Sequence, residues 1–166
     1  MTLPRLIATL FGIGYLRPAP GTWGSAAAAV LGVLIHGIGG FPLLLAATVA
    51  VIPLGFWATA GTVALQEEKD PSEIVIDEVA GQWIALLFPS AGFWMRGMDS
   101  WDFPWPGYVA AFLFFRLFDI WKPGPIGRAD RRGDAAGTMI DDLWAGLFAG
   151  LATLIAAGLY HGLIMR

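Results

Sequence analysis

Apolar residues in this chain fall in long unbroken runs rather than in strict alternation. From Pro18 to Gln66 there is no Asp, Glu, Lys or Arg in 49 consecutive positions. A helix crosses the hydrocarbon core of a bilayer with about 20 residues, so this run predicts two crossings. Gly39, Gly40 and Pro42 mark the turn between them, because glycine and proline interrupt helices. The pattern places a first span at Trp23 to Ile38 and a second from Phe41 to about Leu65. A third runs from Ile74 to about Trp94, with Asp77 and Glu78 in its first turn. A fourth runs from about Pro104 to Trp121 and ends on Arg116 and Asp119. A fifth starts near Thr138, carries Asp141 and Asp142 in its first turn, and is uncharged from Leu143 to Met165. The N-terminal stretch Leu3 to Leu16 is apolar but too short to span, and reads as a helix lying in or dipping into the interface. A cleaved signal fits it poorly, since Gly14 to Pro20 offers no good small-residue cleavage site. The expected fold is all-α: a polytopic membrane helix bundle of about five spans plus a short N-terminal interfacial or re-entrant helix. It forms one membrane-embedded domain over residues 1–166.

Up-and-down threading of those spans sorts the charges. One surface receives Arg17, Glu67, Glu68, Lys69, Asp70, Glu73, Asp77, Glu78, Arg116, Asp119 and Lys122, and all the charges from Arg128 to Asp142. The other receives only Arg96, Asp99, Asp102 and Arg166. Basic residues favour the cytoplasmic side, so the charged surface is expected to face the cytoplasm. Trp94, Trp101 and Trp105 fall at one boundary and Trp23, Trp121 and Trp144 at the other, as interfacial tryptophans do. Composition agrees: 57% of residues are hydrophobic and 14% charged, where soluble domains carry roughly 25% charge. The net charge of −3 lacks the basic stripe of a nucleic-acid binder. With no cysteine, thiolate metal sites and cysteine nucleophiles are excluded. Gly146 and Gly150 form a GxxxG pair that serves association between chains or packing within one, so the oligomeric state is not legible.

The candidate chemistry sits on the charged surface. Ile76-Asp77-Glu78 and Ile140-Asp141-Asp142 each put an acidic pair at the start of an apolar helix. One such pair is explained by helix capping. Two pairs at one membrane depth, joined by Asp119, are costly unless compensated, and a hard divalent cation such as Mg²⁺ takes carboxylates, water and phosphate together. The segment from Pro18 to Ser25 enters the first span, and Thr22 or Ser25 could cap that helix while its N-terminus meets an anion. Arg116 and Asp119 share a helix face and could pair; Arg116 and Lys122 could also grip a phosphate. Arg128, Arg131 and Arg132 form a basic loop suited to anionic headgroups. His36 and His161 both fall toward the opposite surface, which disfavours a histidine nucleophile at the acids. What remains is metal-dependent attack on a phosphate ester, by activated water or by an Asp.

Four segments, Pro20-Gly21-Thr22-Trp23-Gly24-Ser25, Ile76-Asp77-Glu78-Val79-Ala80-Gly81, Phe115 to Pro123, and Met139-Ile140-Asp141-Asp142 with Ala145-Gly146, occur in an order that resembles the phosphatidylglycerophosphatase A family. The resemblance covers roughly residues 12 to 150. It implies a multi-pass enzyme of the bacterial inner membrane that hydrolyses phosphatidylglycerophosphate to phosphatidylglycerol and phosphate, with a requirement for Mg²⁺. Chemistry then suggests the roles. Asp77, Glu78, Asp141 and Asp142 are expected to hold metal. Asp119 or Glu78 is expected to act as base, so all five acids are candidate catalytic groups. Thr22, Ser25, Arg116 and Lys122 are expected to bind phosphoryl oxygens.

Two other functional classes fit the sequence less well. A CDP-alcohol phosphotransferase also clusters Asp at a membrane surface, and Gly137 to Asp141 has its Gly-x-x-x-Asp spacing. However, Ala145 stands where the next Asp belongs. A non-enzymatic cation-binding membrane protein needs an ionisable path across the bilayer, and the first two spans offer only His36.

Overall fold

The computed structural model describes residues 2–64, 71–102 and 105–164, without the side chain of Ile164. The charges Glu67, Glu68, Lys69, Asp70 and Arg166, the expected end of the second span at Leu65, and the expected start of the fourth at Pro104 lie outside the described residues. The described elements are all helical. They are α1 (Leu3–Ala8), α2 (Pro20–Val63), α3 (Ile76–Met95), α4 (Trp105–Trp121), α5 (Pro125–Asp130) and α6 (Ala135–Leu159), the last continuing as a π-helical turn over Tyr160–Ile164.

α2 is two helical arms. Its backbone leaves helical geometry at Gly39 and Gly40, and Gly40 has φ +64, a conformation that glycine adopts without a Cβ penalty. Pro42 falls in the first turn of the second arm, where its missing N–H is no loss. Packing shows that the chain doubles back. In the first arm Gly24 lies on Val75, Gly32 on Trp83 and Leu86, and Gly40 on Trp94. In the second arm Gly55 has returned to Met139 and Ile76. The turn at Gly39-Gly40 is therefore where the sequence puts it. Trp83 Nε1 donates to the Ala28 carbonyl at 2.8 Å and ties the first arm to α3.

By length and composition, Pro20–Val63 and Ala135–Leu163 are long and apolar enough to cross a membrane. This is fewer than the five expected spans. α2 counts once although it has two arms, α3 carries Asp77, Glu78, Gln82 and Ser90 within its 20 residues, and α4 has only 17. The outer surface is as apolar as the interior: Val30, Ile38, Val49, Leu113, Ile155 and Leu163 are all exposed. A bundle that is apolar both inside and out suits association with lipid, where backbone polar groups must be satisfied within helices. Trp94, Trp101 and Trp105 are exposed near one end, and Trp23, Trp121 and Trp144 near the other.

α3 is the buried centre. Its Ala80, Ala85 and Leu86 have no exposed surface. α6 crosses it at backbone contact: a Cβ on Gly146 would lie 2.2 Å from the Gly81 carbonyl oxygen, and one on Gly81 would lie 2.5 Å from the Asp142 carbonyl oxygen. Gly150 lies against the Phe88 ring, so both members of the GxxxG pair serve packing within the chain.

Three local expectations are corrected. α6 begins at Ala135, with the Asp134 carboxylate accepting from the Gly137 N–H at 2.7 Å as N-cap, so Asp141 and Asp142 stand in its second turn and cannot be capping residues. α2 begins at Pro20, with Ala19 as N-cap. Thr22 and Ser25 are therefore inside the helix rather than at its cap. The N-terminal segment is also shorter than a full helix from Leu3 to Leu16. α1 has six residues, and Leu10 and Phe11 take positive φ before a 3₁₀ turn at Ile13–Tyr15. It is fastened to the entrance of α3. Val75 N–H donates to the Ala8 carbonyl at 2.8 Å, Arg5 pairs with Glu73 at 3.1 Å, and Arg17 donates to Ser72 at 3.3 Å.

Candidate active site

The crossing of α3 and α6 decides where the acids stand. In each helix an acidic pair precedes an Ala-Gly by about one turn: Asp77-Glu78 before Ala80-Gly81, and Asp141-Asp142 before Ala145-Gly146. Because the two glycines touch, the residues one turn toward each N-terminus also meet. Asp77, Glu78 and Asp142 each present a carboxylate oxygen within 4.8 Å of the other two. Asp77 and Asp142 are 6% and 4% exposed. Glu78 Oε2 is buried with no hydrogen-bond partner. An unpartnered carboxylate oxygen inside a group of three acids is a costly arrangement, and it fits the all-oxygen donor set that a hard divalent cation takes.

Asp141 faces a different way. Its backbone neighbour, the Asp142 N–H, donates to Oδ1 at 3.0 Å, and Lys122 Nζ donates to Oδ2 at 2.8 Å. Of the four acids expected to hold metal, the structure thus brings three together and sets the fourth against a lysine.

The second wall comes from α2 and α4. Arg116, on the last turns of α4, donates to Asp119 one turn on and to Ser25 Oγ at 3.2 Å. Ser25 Oγ in turn donates to the Gly21 carbonyl at 2.7 Å. Gly21 is where the helix entrance meets the acids, since a Cβ there would lie 2.2 Å from Glu78 Oε1 and 3.4 Å from Arg116 Nη1. Arg116 Nε is buried without a partner, a donor left over next to the acidic group. Asp119 also neighbours Asp142 and Glu78 electrostatically. Thr22 is partly exposed and makes no side-chain hydrogen bond among the described residues.

Lys122 borders the acids at the charged end. It takes φ +51, which is uncommon for a residue with a Cβ and is concentrated at functional positions. The turn Pro123-Gly124-Pro125 then packs the Lys122 carbonyl against Gly127, where a Cβ would lie 2.6 Å away. Its ammonium bridges Asp130 and Asp141. Burial pulls the Lys122 ammonium toward the neutral form, but those two carboxylates outweigh it and hold it above its ordinary range. Arg128, Arg131 and Arg132 are exposed, and Arg132 pairs with Asp134 at 3.1 Å. His36 is buried far from the acids, with Nδ1 2.7 Å from Ser90 Oγ.

Two participants were missed from sequence. Asp130 had no signal beyond its place in a basic loop. Gln82 is fully buried one turn below Glu78 with neither amide atom partnered; a polar residue four positions after Glu78 in an apolar helix was the available clue.

Comparison with known proteins adds the family context. The sequence profile of the family described as PgpA, phosphatidylglycerophosphatase A, matches residues 6–157. The chain is 38% identical over 147 residues to a Haemophilus influenzae protein named phosphatidylglycerophosphatase A, covering 87% of this chain and 83% of that one. It is 33% identical over 148 residues to an Escherichia coli protein of the same name, covering 87% and 78%. It is 35% identical over 158 residues to a Bacteroides thetaiotaomicron protein named "Putative phosphatidylinositol-3-phosphatase", covering 93% of each. No solved structure matches the chain.

Proposed function

The chain belongs to the phosphatidylglycerophosphatase A family, and from that premise we propose that it is a Mg²⁺-dependent phosphatidylglycerophosphatase working at the cytoplasmic face of a bacterial inner membrane, which it crosses several times. The observation that carries this reading is the meeting of Asp77, Glu78 and Asp142 from two distant helices within 4.8 Å, beside Arg116. Among the described residues, Asp77, Glu78, Asp119, Asp141 and Asp142 gather with Arg116 and Lys122, and Lys122 is shared with Asp130, which leaves a demand for further positive charge. Arg128, Arg131 and Arg132 at the same end support a cytoplasmic orientation.

The donor set fits Mg²⁺. Asp77, Glu78 and Asp142 would hold it, with the bare Glu78 Oε2 as one available ligand atom. When bound, such an ion supplies positive charge against phosphoryl oxygens and activates water. The chain's own residues do the rest. Arg116 is held by Asp119 and Ser25, so its guanidinium is oriented before substrate arrives, and the unpartnered Nε is directed to a phosphoryl oxygen. Lys122 holds Asp141 and offers a point charge at the pocket mouth. Asp119 takes the proton from the attacking water. Thr22 is partly exposed, makes no side-chain hydrogen bond among the described residues, and is assigned to the outer edge of the phosphate position.

Phosphate release by the purified protein from phosphatidylglycerophosphate, with Mg²⁺ and after chelation, tests this reading. The relative named for an inositol lipid makes phosphatidylinositol 3-phosphate the second substrate to run. Mg²⁺-dependent release from phosphatidylglycerophosphate supports the proposal. Release from the inositol lipid alone, or release that survives chelation, overturns it.

A further inference from the structure

A groove of 380 Å³ runs between the first arm of α2 and α4, within the range of ligand sites. Ala26, Ala29 and Val33 line one wall, and Tyr108, Val109 and Phe112 the other. Its position follows from helix periodicity. Ala29 lies four residues after Ser25, and Phe112 four residues before Arg116, so each sits on the same helix face as a residue of the pocket, one turn deeper. The two helices run antiparallel, and the Ser25–Arg116 hydrogen bond closes the groove at the charged end. Val30 and Val109 at its lip are 62% and 43% exposed, so it opens sideways on the apolar surface. The small alanines on one wall leave room that a larger residue would fill.

We propose that this groove holds an acyl chain of the substrate, so that a lipid phosphate enters between α2 and α4 with its phosphate at Arg116 and a tail along Ala29 and Phe112. The proposal rests on the lipid-phosphatase reading given above. The occupant is an alkyl chain because the walls carry almost no polar atoms and the polar pocket begins one turn above them. A larger groove of 440 Å³ at the other end, lined by Phe88, Arg96, Thr153 and His161, lies away from the acids and is not the berth.

Two measurements test it. First, a lipid phosphate carrying a diazirine midway along one acyl chain is photolysed with the wild-type protein in vesicles, and labelled peptides are sequenced. Label on residues 26–34 and 108–112 supports the proposal; label confined to residues 88–96 and 153–161, or to a second copy of the chain, overturns it. Second, Ala29→Phe and Val109→Trp are assayed on long-chain and short-chain forms of the same lipid phosphate, with Ala157→Phe in the other groove as control. Obstructing the groove raises KM for the long-chain lipid about tenfold and leaves the short-chain form within a factor of about two; equal KM values for both lipids in both variants overturn the proposal. The labelling does not require turnover, so an inactive wild-type protein would count against the phosphatase reading while the label still decides the groove.

Discussion

Gly146→Ala is the substitution that most directly separates the acids from one another. The added Cβ would lie 2.2 Å from the Gly81 carbonyl oxygen, 2.9 Å from its carbon and 3.0 Å from its Cα. These are backbone atoms of a buried helix, so no rotamer change relieves the contact. To reach ordinary van der Waals distance, α6 must move away from α3 by roughly 1 Å, because a close-packed interior has no slack to absorb it. Asp142 rides on α6 four residues before Gly146, while Asp77 and Glu78 ride on α3, so the same movement opens the carboxylate group. Overpacking of this kind costs about 1–3 kcal/mol of stability, and a misplacement of about 1 Å at a reacting centre costs about 10²-fold in rate. The expected result is a drop in kcat/KM of about 10²-fold in protein that remains folded in detergent. Gly158→Ala is the control. It lies on the same helix, a Cβ there meets nothing within 4 Å, and it should leave activity unchanged and raise stability slightly. The assay is phosphate release together with a thermal unfolding curve for each variant. Full activity in a folded Gly146→Ala protein would refute the claim that the Gly81–Gly146 contact sets the spacing of the acids.

Other consequences follow from single contacts. Arg116→Lys keeps a charge that could still reach Ser25 and Asp119, both of which are bonded through Nη1, but loses the unpartnered Nε, so phosphate release should fall about 10²-fold, and a lysine variant with wild-type kcat would remove Arg116 from the phosphate. Lys122→Gly relieves the positive φ but removes the ammonium from Asp130 and Asp141; its activity should fall as far as that of Lys122→Ala, and recovery in the glycine variant alone would show that backbone conformation rather than charge is what matters. Asp134 is held below the ordinary carboxylate range by its hydrogen bond from Arg132 and by the Gly137 N–H. A lowered folded-state pKa contributes stability above the unfolded value, lost as pH falls through the folded value. Unfolding curves should therefore show wild type losing, below about pH 4, an advantage over Asp134→Ala that it holds at neutral pH; a constant gap would contradict this.

Much of the fold is legible in the sequence because hydrophobic runs and glycine–proline punctuation are local signals. The turn at Gly39-Gly40 is read from its own residues, since the combination of φ +64 with ψ −161 at Gly40 is open essentially to glycine alone. The sorting of Asp77, Glu78, Asp119, Asp141 and Asp142 toward one end follows from threading apolar runs up and down. What the sequence hides is rotation about each helix axis. Asp141 and Asp142 are neighbours about 100° apart, and only the crossing at Gly81 and Gly146 decides that Asp142 joins Asp77 and Glu78 while Asp141 turns to Lys122. Asp130 reaches Lys122 only because the Pro123–Pro125 turn folds α5 back. The N-terminal segment could not be read as a tether, since its partners Glu73 and Val75 lie more than fifty residues away. Family resemblance supplied the reaction; burial and unpartnered atoms supplied the arrangement that the reaction would use.

Asp77, Glu78 and Asp142 are proposed to form one divalent-cation site. Titration of the purified protein with Mn²⁺ as a spectroscopic probe, displaced by Mg²⁺, tests it without reference to turnover. Saturable binding is expected, weakened at least about tenfold in each of Asp77→Asn, Glu78→Gln and Asp142→Asn, and unchanged in Asp99→Asn at the opposite end. Binding of wild-type strength in all three pocket variants would contradict it.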